Sequence, residues 1–401
     1  MGDSHSSGRP VVLAGGFYLL YYAAMAALLP YLTLYYQQLG LRGGQIGVLV
    51  AIPPVLTLFG ASLWGAAADA TRRHRLVLCL AIAGAAVAAL ALSRVGAFGW
   101  LVPTVVVFAF FVAPITALAD NAVMELLGDR RDRYGRVRLW GAVGWGVAAP
   151  LVGRLVEQRG LGLSFYAYAA LMLACLLVAA RLPVAAGHRA VLGQGLRRLL
   201  GNRQWRLFLF LAFVGGAGLG FVHHFLFLYM EQIGASRTTM GLALTTATLS
   251  ELVFFYCADR WVRRYGVRPL FIAAMLASSV RLFAYSVTDA PWVVLVIQLL
   301  HGPSFAMMWT AGVSWANRLA PPGLGATAQG LFTGVNFGLA GAAGALVGGV
   351  LFEHLGPVPM YRIASLGVLA GAVVYLLAGR RGDTPSMEAD HARSESQSVV
   401  G

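Results

Sequence analysis

Long apolar runs separated by short polar connections are the main pattern along this chain. Twelve of the runs approach the ~20 residues that a helix needs to cross the hydrocarbon layer of a bilayer. The pattern therefore predicts an all-α polytopic membrane protein with twelve transmembrane helices. The runs cover residues 11–36, 45–68, 75–94, 100–126, 139–158, 164–182, 206–232, 239–258, 269–288, 292–317, 328–353 and 361–379.

The longest internal polar connection divides these runs into two groups of six. It covers residues 183–205 and is rich in arginine. We therefore expect an N-terminal six-helix bundle over 11–182 and a C-terminal six-helix bundle over 206–379. The polar segments at the two ends, 1–10 and 380–401, are predicted to be cytoplasmic tails, the second of them disordered.

Composition and charge support a membrane protein and argue against a nucleic-acid partner. Charged residues make up 11% of the chain, whereas a typical soluble domain carries about 25%. The net charge of +14 comes from 30 basic residues, all of them arginine. Placing both termini in the cytoplasm puts 23 arginines on that side and 6 on the other, as the positive-inside rule requires. We expect a multi-pass protein of the plasma (inner) membrane.

Nothing in the sequence indicates an enzyme, a metal site or a cofactor. Cys79, Cys175 and Cys257 each lie in an apolar run without metal-ligand or disulfide spacing. Motifs of metalloproteases and serine hydrolases are absent from the sequence. We expect a monomer that needs no cofactor.

Ionisable residues inside the apolar runs are the candidate functional residues, because such groups are costly in lipid unless they are paired. Asp120 and Arg138 lie nine residues on either side of Asp129, the middle of the turn between the fourth and fifth runs. In an antiparallel helix pair they should face each other, roughly 12 Å from the turn. Trp145 follows Arg138 two turns later on the same helix face. We expect these three residues to contact a solute, with a structural ion pair as the alternative.

A second set of ionisable residues should share one depth in the second half. Arg281 and His301 each lie ten residues from Pro291, and Glu251 and Arg281 each lie fifteen residues from Gly266. Both reference residues are in turns between runs. Histidine titrates near neutral pH, and a carboxylate beside arginine changes its proton affinity when its partner moves. Glu251, Arg281 and His301 are therefore the predicted proton-coupling residues.

Four polar residues in other runs are further candidates for lining a cavity, with core packing as the alternative. Tyr18 lies in the first run and Asn336 in the eleventh, and we assign both to the solute site. His223 and His224 are adjacent in the seventh run, so at most one of them can face a cavity.

The ends of the second and eighth runs share one pattern, and it predicts a conformational gate. Asp69 precedes Arg72 and Arg73, while Asp259 precedes Arg260. An acid at a helix end can hold cytoplasmic arginines against a neighbouring helix and lock one conformation of a rocking bundle. Solvated loop charges are the alternative.

These motifs resemble those of the major facilitator superfamily. The segment after Trp64 is similar to its G-x-x-x-D-R-x-G-R/K-R/K signature, although alanine replaces the arginine after Asp69. Residues 134–145 are similar to helix five of the oligosaccharide:proton symporters, the family of lactose permease, and of nucleoside:proton symporters. Residues 298–305 and Ser250-Glu251 resemble the phenylpropionate-permease-like branch more closely.

The resemblance implies solute contact by Asp120, Arg138 and Trp145, and a proton-coupling role for Arg281 and His301. The chain departs from that pattern at two positions: Ser304 stands where lactose permease has a glutamate, and Gln298 replaces a lysine. Coupling therefore has to run through Glu251 or Asp120, with His301, or be absent.

The sequence favours a secondary active transporter that imports a small polar or aromatic-acid solute, such as a sugar, nucleoside or carboxylate, together with protons. Its partners would be that solute, protons and the lipid bilayer. The alternative is a drug- or metabolite-exporting proton antiporter of the same fold, because residues 146–153 are similar to the glycine–proline motif of antiporters. An intramembrane enzyme or sensor has no supporting motif.

Overall fold

The computed structural model describes residues 8–128, 133–182, 199–321 and 324–379, and the regular secondary structure within these ranges is helical. Six helices belong to the first half of the chain: α1 (Gly8–Gln38), α2 (Gly43–Thr71), α3 (His74–Leu92), α4 (Phe98–Leu127), α5 (Tyr134–Arg159) and α6 (Leu163–Ala179). Six belong to the second half: α7 (Arg203–Gln232), α8 (Arg237–Tyr265), α9 (Val267–Tyr285), α10 (Pro291–Leu319), α11 (Gly325–Thr333, Gly334–Leu339 and Ala340–Leu355) and α12 (Pro357–Gly379).

Each predicted apolar run overlaps one of these helices, so the prediction of an all-α membrane protein with twelve helices is confirmed. Eleven helices in the described ranges are long and apolar enough to cross a membrane, and α6, with 17 residues, is shorter. Several helices continue beyond the predicted ends. The run 239–258, for example, becomes α8, which ends at Tyr265, because a helix can keep its backbone hydrogen bonds after it leaves the hydrocarbon layer.

The predicted linker and tails that bound the two halves stay predictions. Most of the linker 183–205 and nearly all of the tails 1–10 and 380–401 lie outside the described residues. Within the described ranges, α6 ends at Ala179 and α7 begins at Arg203.

Successive helices run in opposite directions, so the start of α1 and the end of α12 lie at the same end of the molecule. We call this end the proximal end and the opposite end the distal end. The α1–α2, α5–α6, α7–α8 and α11–α12 connections lie at the distal end. The sequence predicts that the proximal end faces the cytoplasm.

The two halves contact each other through α2 with α11, α5 with α8, and α1 with α7. Small residues allow the first two pairs to approach closely. A β-carbon added at Gly47 would lie 2.6 Å from the carbonyl oxygen of Ala345. One added at Gly241 would lie 2.4 Å from the carbonyl oxygen of Ala149. Gly47 and Gly241 are close to the distal ends of α2 and α8, so the structure is closed at its distal end.

Large apolar side chains cover much of the outer surface. Leu151, Leu177 and Leu366 are exposed by 59%, 61% and 63%. An apolar surface of this extent on a soluble monomer would favour association, whereas lipid chains solvate it. This surface agrees with a protein that is surrounded by a bilayer.

Candidate functional site

The first cluster of polar residues joins α1, α4 and α5. The Tyr18 hydroxyl donates to Asp120 Oδ1 at 2.6 Å, and the same oxygen lies 3.8 Å from Arg138 Nε. The sequence therefore placed Asp120 opposite Arg138 correctly, and Tyr18 joins them from a third helix. The side chains of Arg138 and Asp120 are each about one third exposed, so the pair stays accessible to a solute.

Tyr22 completes this cluster, and the sequence reasoning missed it. Arg138 Nη2 donates to the Tyr22 hydroxyl, and the guanidinium carbon lies 4.5 Å from the centre of the Tyr22 ring and 4.9 Å from that of Tyr18. Cation–π contacts of this kind stabilise a desolvated arginine. Tyr18 and Tyr22 are four residues apart, so their common face on α1 was a signal that could have identified both.

Trp145 lies two turns beyond Arg138 on α5 and is partly buried between the halves. It packs against a cluster of small residues in the first half that contains Ala23 and Ala148, and Leu244 of α8 packs against the same cluster. An indole in this position can contact a solute held by Arg138. Its role in stacking stays a prediction.

The second cluster is a chain of three ionisable residues from α8, α10 and α9. Glu251 Oε2 lies 3.5 Å from His301 Nε2, and His301 Nδ1 lies 2.8 Å from Arg281 Nη1. A guanidinium can only donate hydrogen bonds, so Nδ1 is the acceptor and the proton of a neutral His301 is on Nε2, facing Glu251. The residues predicted to share one depth therefore form one connected chain.

Neutral side chains hold Arg281 at the buried end of this chain. Arg281 is only 3% exposed, and its Nη2 donates to Gln298 Oε1 at 2.5 Å. Its Nε donates to the Tyr285 hydroxyl at 3.0 Å, and Nη1 also contacts Ser304 Oγ at 3.3 Å. Gln298 and Ser304 are the two departures from the lactose permease pattern. Both contact Arg281, the arginine that this chain shares with that pattern. Tyr285 is a further contact that the sequence reasoning missed.

The two clusters lie close enough to act on each other. Glu251 in the second half lies within electrostatic range of the Tyr22 hydroxyl in the first. His223 lies within electrostatic range of His301, and His223 is the more exposed of the His223–His224 pair. A solute bound at Arg138 would therefore be near the residues predicted to carry the proton.

Helix α10 is distorted where it carries His301. A short 3₁₀ segment, Gln298–Leu300, is followed by a π-turn, Gly302–Ala306, and such turns are frequent at functional sites. Ser250 of α8 repairs the disturbed backbone, since its Oγ accepts from Gly302 N at 3.1 Å and donates to the carbonyl oxygen of Leu299. The residue next to Ser250 is Glu251, so one short segment of α8 both stabilises the π-turn and carries the acid.

Asn336 lies in a second π-turn, Gly334–Leu339 of α11. It is 1% exposed, and neither its Oδ1 nor its Nδ2 has a hydrogen-bond partner among the described residues. Its Oδ1 faces Gly216 of α7. The structure therefore does not bring Asn336 into contact with either cluster, and its assignment to the solute site stays a prediction.

The contacts of the predicted gate residues differ from the expectation. Asp69 Oδ1 binds His74 Nε2 at 2.8 Å, whereas Arg72 and Arg73 are exposed and no ion pair joins them to an acid within the described ranges. Arg72 has a left-handed backbone, with φ of 56°, and this turn folds His74 back onto Asp69. The backbones of Asp259 and Arg260 belong to α8 and Arg260 is exposed, while the Asp259 side chain lies outside the described part of the structure.

Metal ligands are not grouped in the described part of the chain. Among those residues, no set of three or more histidine, cysteine, aspartate or glutamate side chains is arranged to hold an ion. The chemistry available at the two clusters is therefore hydrogen bonding, ion pairing and proton exchange.

Comparison with known proteins gives one consistent result along the chain. The sequence profile described as the MFS_1 like family matches residues 12–363. The maltose permease of Geobacillus stearothermophilus is 31% identical over 375 residues, which cover 93% of this chain and 95% of the permease. An Escherichia coli (strain K12) protein named "Probable 3-phenylpropionic acid transporter" is 24% identical over 84% of this chain and 90% of its own length. The crystal structure of the nucleoside transporter NupG matches with a TM-score of 0.83 at 17% identity, covering 92% of this chain and 98% of that one.

Proposed function

Because the chain belongs to the MFS_1-like family of the major facilitator superfamily, we propose that it is a proton-coupled symporter of a small, neutral, hydroxyl-rich solute such as a sugar or a nucleoside. The family makes the protein a membrane transporter and not an enzyme. The coupling, the solute class and the residues that serve them are the proposal.

The Glu251–His301–Arg281 chain is the observation that carries the proton coupling. Glu251 faces the Nε2 proton of His301 across 3.5 Å, so a proton on Glu251 removes the negative charge at the open end of the chain. Arg281 is fixed by Gln298 and Tyr285, and it therefore supplies a constant positive charge at the other end. Protonation of Glu251 changes the net charge between the halves, and such a change can shift a two-state equilibrium.

The first cluster supports a neutral solute. Arg138 and Asp120 together provide donors and an acceptor with no net charge, and both stay partly accessible. Hydroxyl groups can bridge such a pair, and a planar or ring-shaped solute can also contact the faces of Tyr22 and Trp145. A carboxylate would have to compete with Asp120 for Arg138. The similarity to a maltose permease over nearly the whole chain favours the same class.

Transport would follow alternating access at this site. The distal end is closed in this structure by α2 with α11 and α5 with α8, so the solute site would open toward the proximal end. Rocking of one half against the other would then expose the site to the distal side. We propose that the protein acts as a monomer in the plasma membrane, with both termini in the cytoplasm and the proton gradient as its energy source.

Uptake by proteoliposomes with an imposed inward pH gradient tests this function. A thermal-shift screen of sugars, nucleosides, aromatic acids and drugs first identifies the solute, because a bound ligand raises apparent stability by mass action. We expect the radiolabelled solute to accumulate in wild-type vesicles and not in those with Arg138→Ala. With Glu251→Gln, accumulation should be lost while exchange of labelled for unlabelled solute continues. Arg154→Ala and Asp289→Asn, which alter exposed residues, are the matched controls.

Two results would contradict the proposal. If Arg138→Ala and Glu251→Gln accumulate solute as the controls do, the residue assignments fail. If the solute leaves the vesicles as protons enter, the protein is the exporting antiporter. The glycines of residues 146–153, which suggested that alternative, have a structural use here, since Gly153 lies directly against the backbone of Arg237 in α8.

A further inference from the structure

Two carboxylates at the distal end bind across the boundary between the halves. Glu157, in the last turn of α5, accepts hydrogen bonds at Oε2 from Thr238 N at 3.1 Å and from Thr238 Oγ1 at 2.6 Å. Glu353, in the last turn of α11, accepts at Oε2 from Gly44 N at 2.8 Å. Each bond therefore joins a helix end of one half to a helix start of the other half.

The two contacts occupy equivalent positions in the two six-helix halves. α5 and α11 are the fifth helices of their halves, and α2 and α8 are the second helices. In each contact the acceptor comes from the last turn of a fifth helix, and the donor N–H belongs to the second residue of a second helix. One contact alone could be incidental, whereas the same geometry at both equivalent positions indicates a common use.

Helix starts suit this use because their first N–H groups have no partner within the helix. They also carry a partial positive charge that favours a carboxylate. Separation of the halves at the distal end would leave both the N–H groups and the carboxylates to water. The side chains are exposed, so water can enter and the contacts can break and re-form.

We propose that Glu157 and Glu353 are paired gating residues that hold the distal end closed, and that both contacts must open before solute can enter from that side. This inference rests on the alternating access in the proposed function, but not on the proton coupling or on the solute. Neither residue belongs to the solute cluster or to the Glu251–His301–Arg281 chain.

The rate at which a partly buried contact between the halves becomes accessible measures the opening of the distal end. Thr245 Oγ1 donates to the carbonyl oxygen of Gly146 at 2.6 Å between α8 and α5, so Thr245→Cys reports separation of these helices. The reporter is placed in the full chain with Cys79, Cys175 and Cys257 replaced by alanine. The protein is reconstituted in lipid nanodiscs and treated with a maleimide.

Each of Glu157→Gln and Glu353→Gln should raise the labelling rate about two- to fivefold, the effect expected for removal of a charge from a helix start. The double variant should show the product of the two effects if the sites are independent. Asp289→Asn removes an exposed distal charge in the turn between α9 and α10 and should leave the rate unchanged.

A labelling rate in the double variant that equals that of the Asp289→Asn control would overturn the gating role. This outcome is separate from a failure of the proposed function. If wild-type vesicles show no proton-driven accumulation, coupling fails, while the labelling comparison still reports the gate. If accumulation is normal and labelling is unaffected by the variants, only the gating role is lost.

Discussion

At the scale of single residues, the contacts of Arg138 favour an arginine over a lysine at this position. Its guanidinium contacts Asp120 and Tyr22 while it lies over the rings of Tyr18 and Tyr22. A planar fork with several donors can make these contacts at once and still offer a free edge to a solute. A lysine ammonium is a compact point charge that cannot.

Arg138→Lys should therefore weaken solute binding although the charge is kept. Loss of a charge-assisted hydrogen bond of this kind corresponds to a dissociation constant that is roughly 10- to 100-fold higher. Calorimetric titration with the identified solute measures it. Arg154→Lys, on the exposed face of the same helix, should bind as wild type does. A lower melting temperature with unchanged affinity for Arg138→Lys would instead indicate that the pair is only structural.

The sequence predicted the residues whose meeting follows from helix geometry and missed those whose role depends on rotation. The pairing of Asp120 with Arg138 and that of Arg281 with His301 could be predicted, because the two members of each pair lie the same number of residues from a turn. The burial of Asn336, which has no hydrogen-bond partner among the described residues, does not follow from such distances, because the sequence does not show how a helix is rotated about its axis. Asp69 binds His74 and not Arg72 because Arg72 has a left-handed backbone, and no sequence pattern indicated that conformation.

At the scale of helices, the π-turn of α10 is the element that positions His301. Its ring stacks on Phe305 within that turn at 5.0 Å between centroids, and the turn itself is held by Ser250. Gly302 permits this arrangement, since a β-carbon there would lie 2.6 Å from Ser250 Oγ. The sequence analysis did not predict this π-turn, because the wider backbone spacing that it requires is visible only in the structure.

Ser250→Ala should destabilise the protein through this π-turn. The substitution leaves the buried Gly302 N–H and the Leu299 carbonyl without Oγ, which costs about 1–3 kcal/mol for such a group. For a chain of this length the apparent melting temperature should therefore fall by about 1–4 °C. Thermal unfolding in detergent, followed by intrinsic fluorescence, measures this. Ser93→Ala removes a hydroxyl that bonds only to Leu90 of its own helix and is the control. Equal shifts in the two variants would show that Ser250 has no special role in α10.

At the scale of the whole molecule, the placement of charge agrees with a membrane transporter. Asp120 binds Tyr18 and lies beside Arg138, and Arg281 is almost fully buried among neutral acceptors, so neither group points to lipid. The sequence could predict this architecture because run length and arginine distribution are properties of the chain. The contact between the halves could not be predicted, since the glycines that allow it are no different in sequence from those inside each half.

The arginine distribution also predicts the orientation of the molecule in the membrane, and this orientation can be tested at two exposed residues. If both termini are cytoplasmic, Gly160 at the distal end faces outward and Thr71 at the proximal end faces inward. In a chain whose three native cysteines are replaced, a cysteine at position 160 should react with an impermeant maleimide in intact cells. A cysteine at position 71 should react only after the cells are permeabilised, and that second step shows that both positions are reactive. The reverse pattern would place the Glu157 and Glu353 contacts on the cytoplasmic side, and the gate they form would then control release of an imported solute and not its uptake.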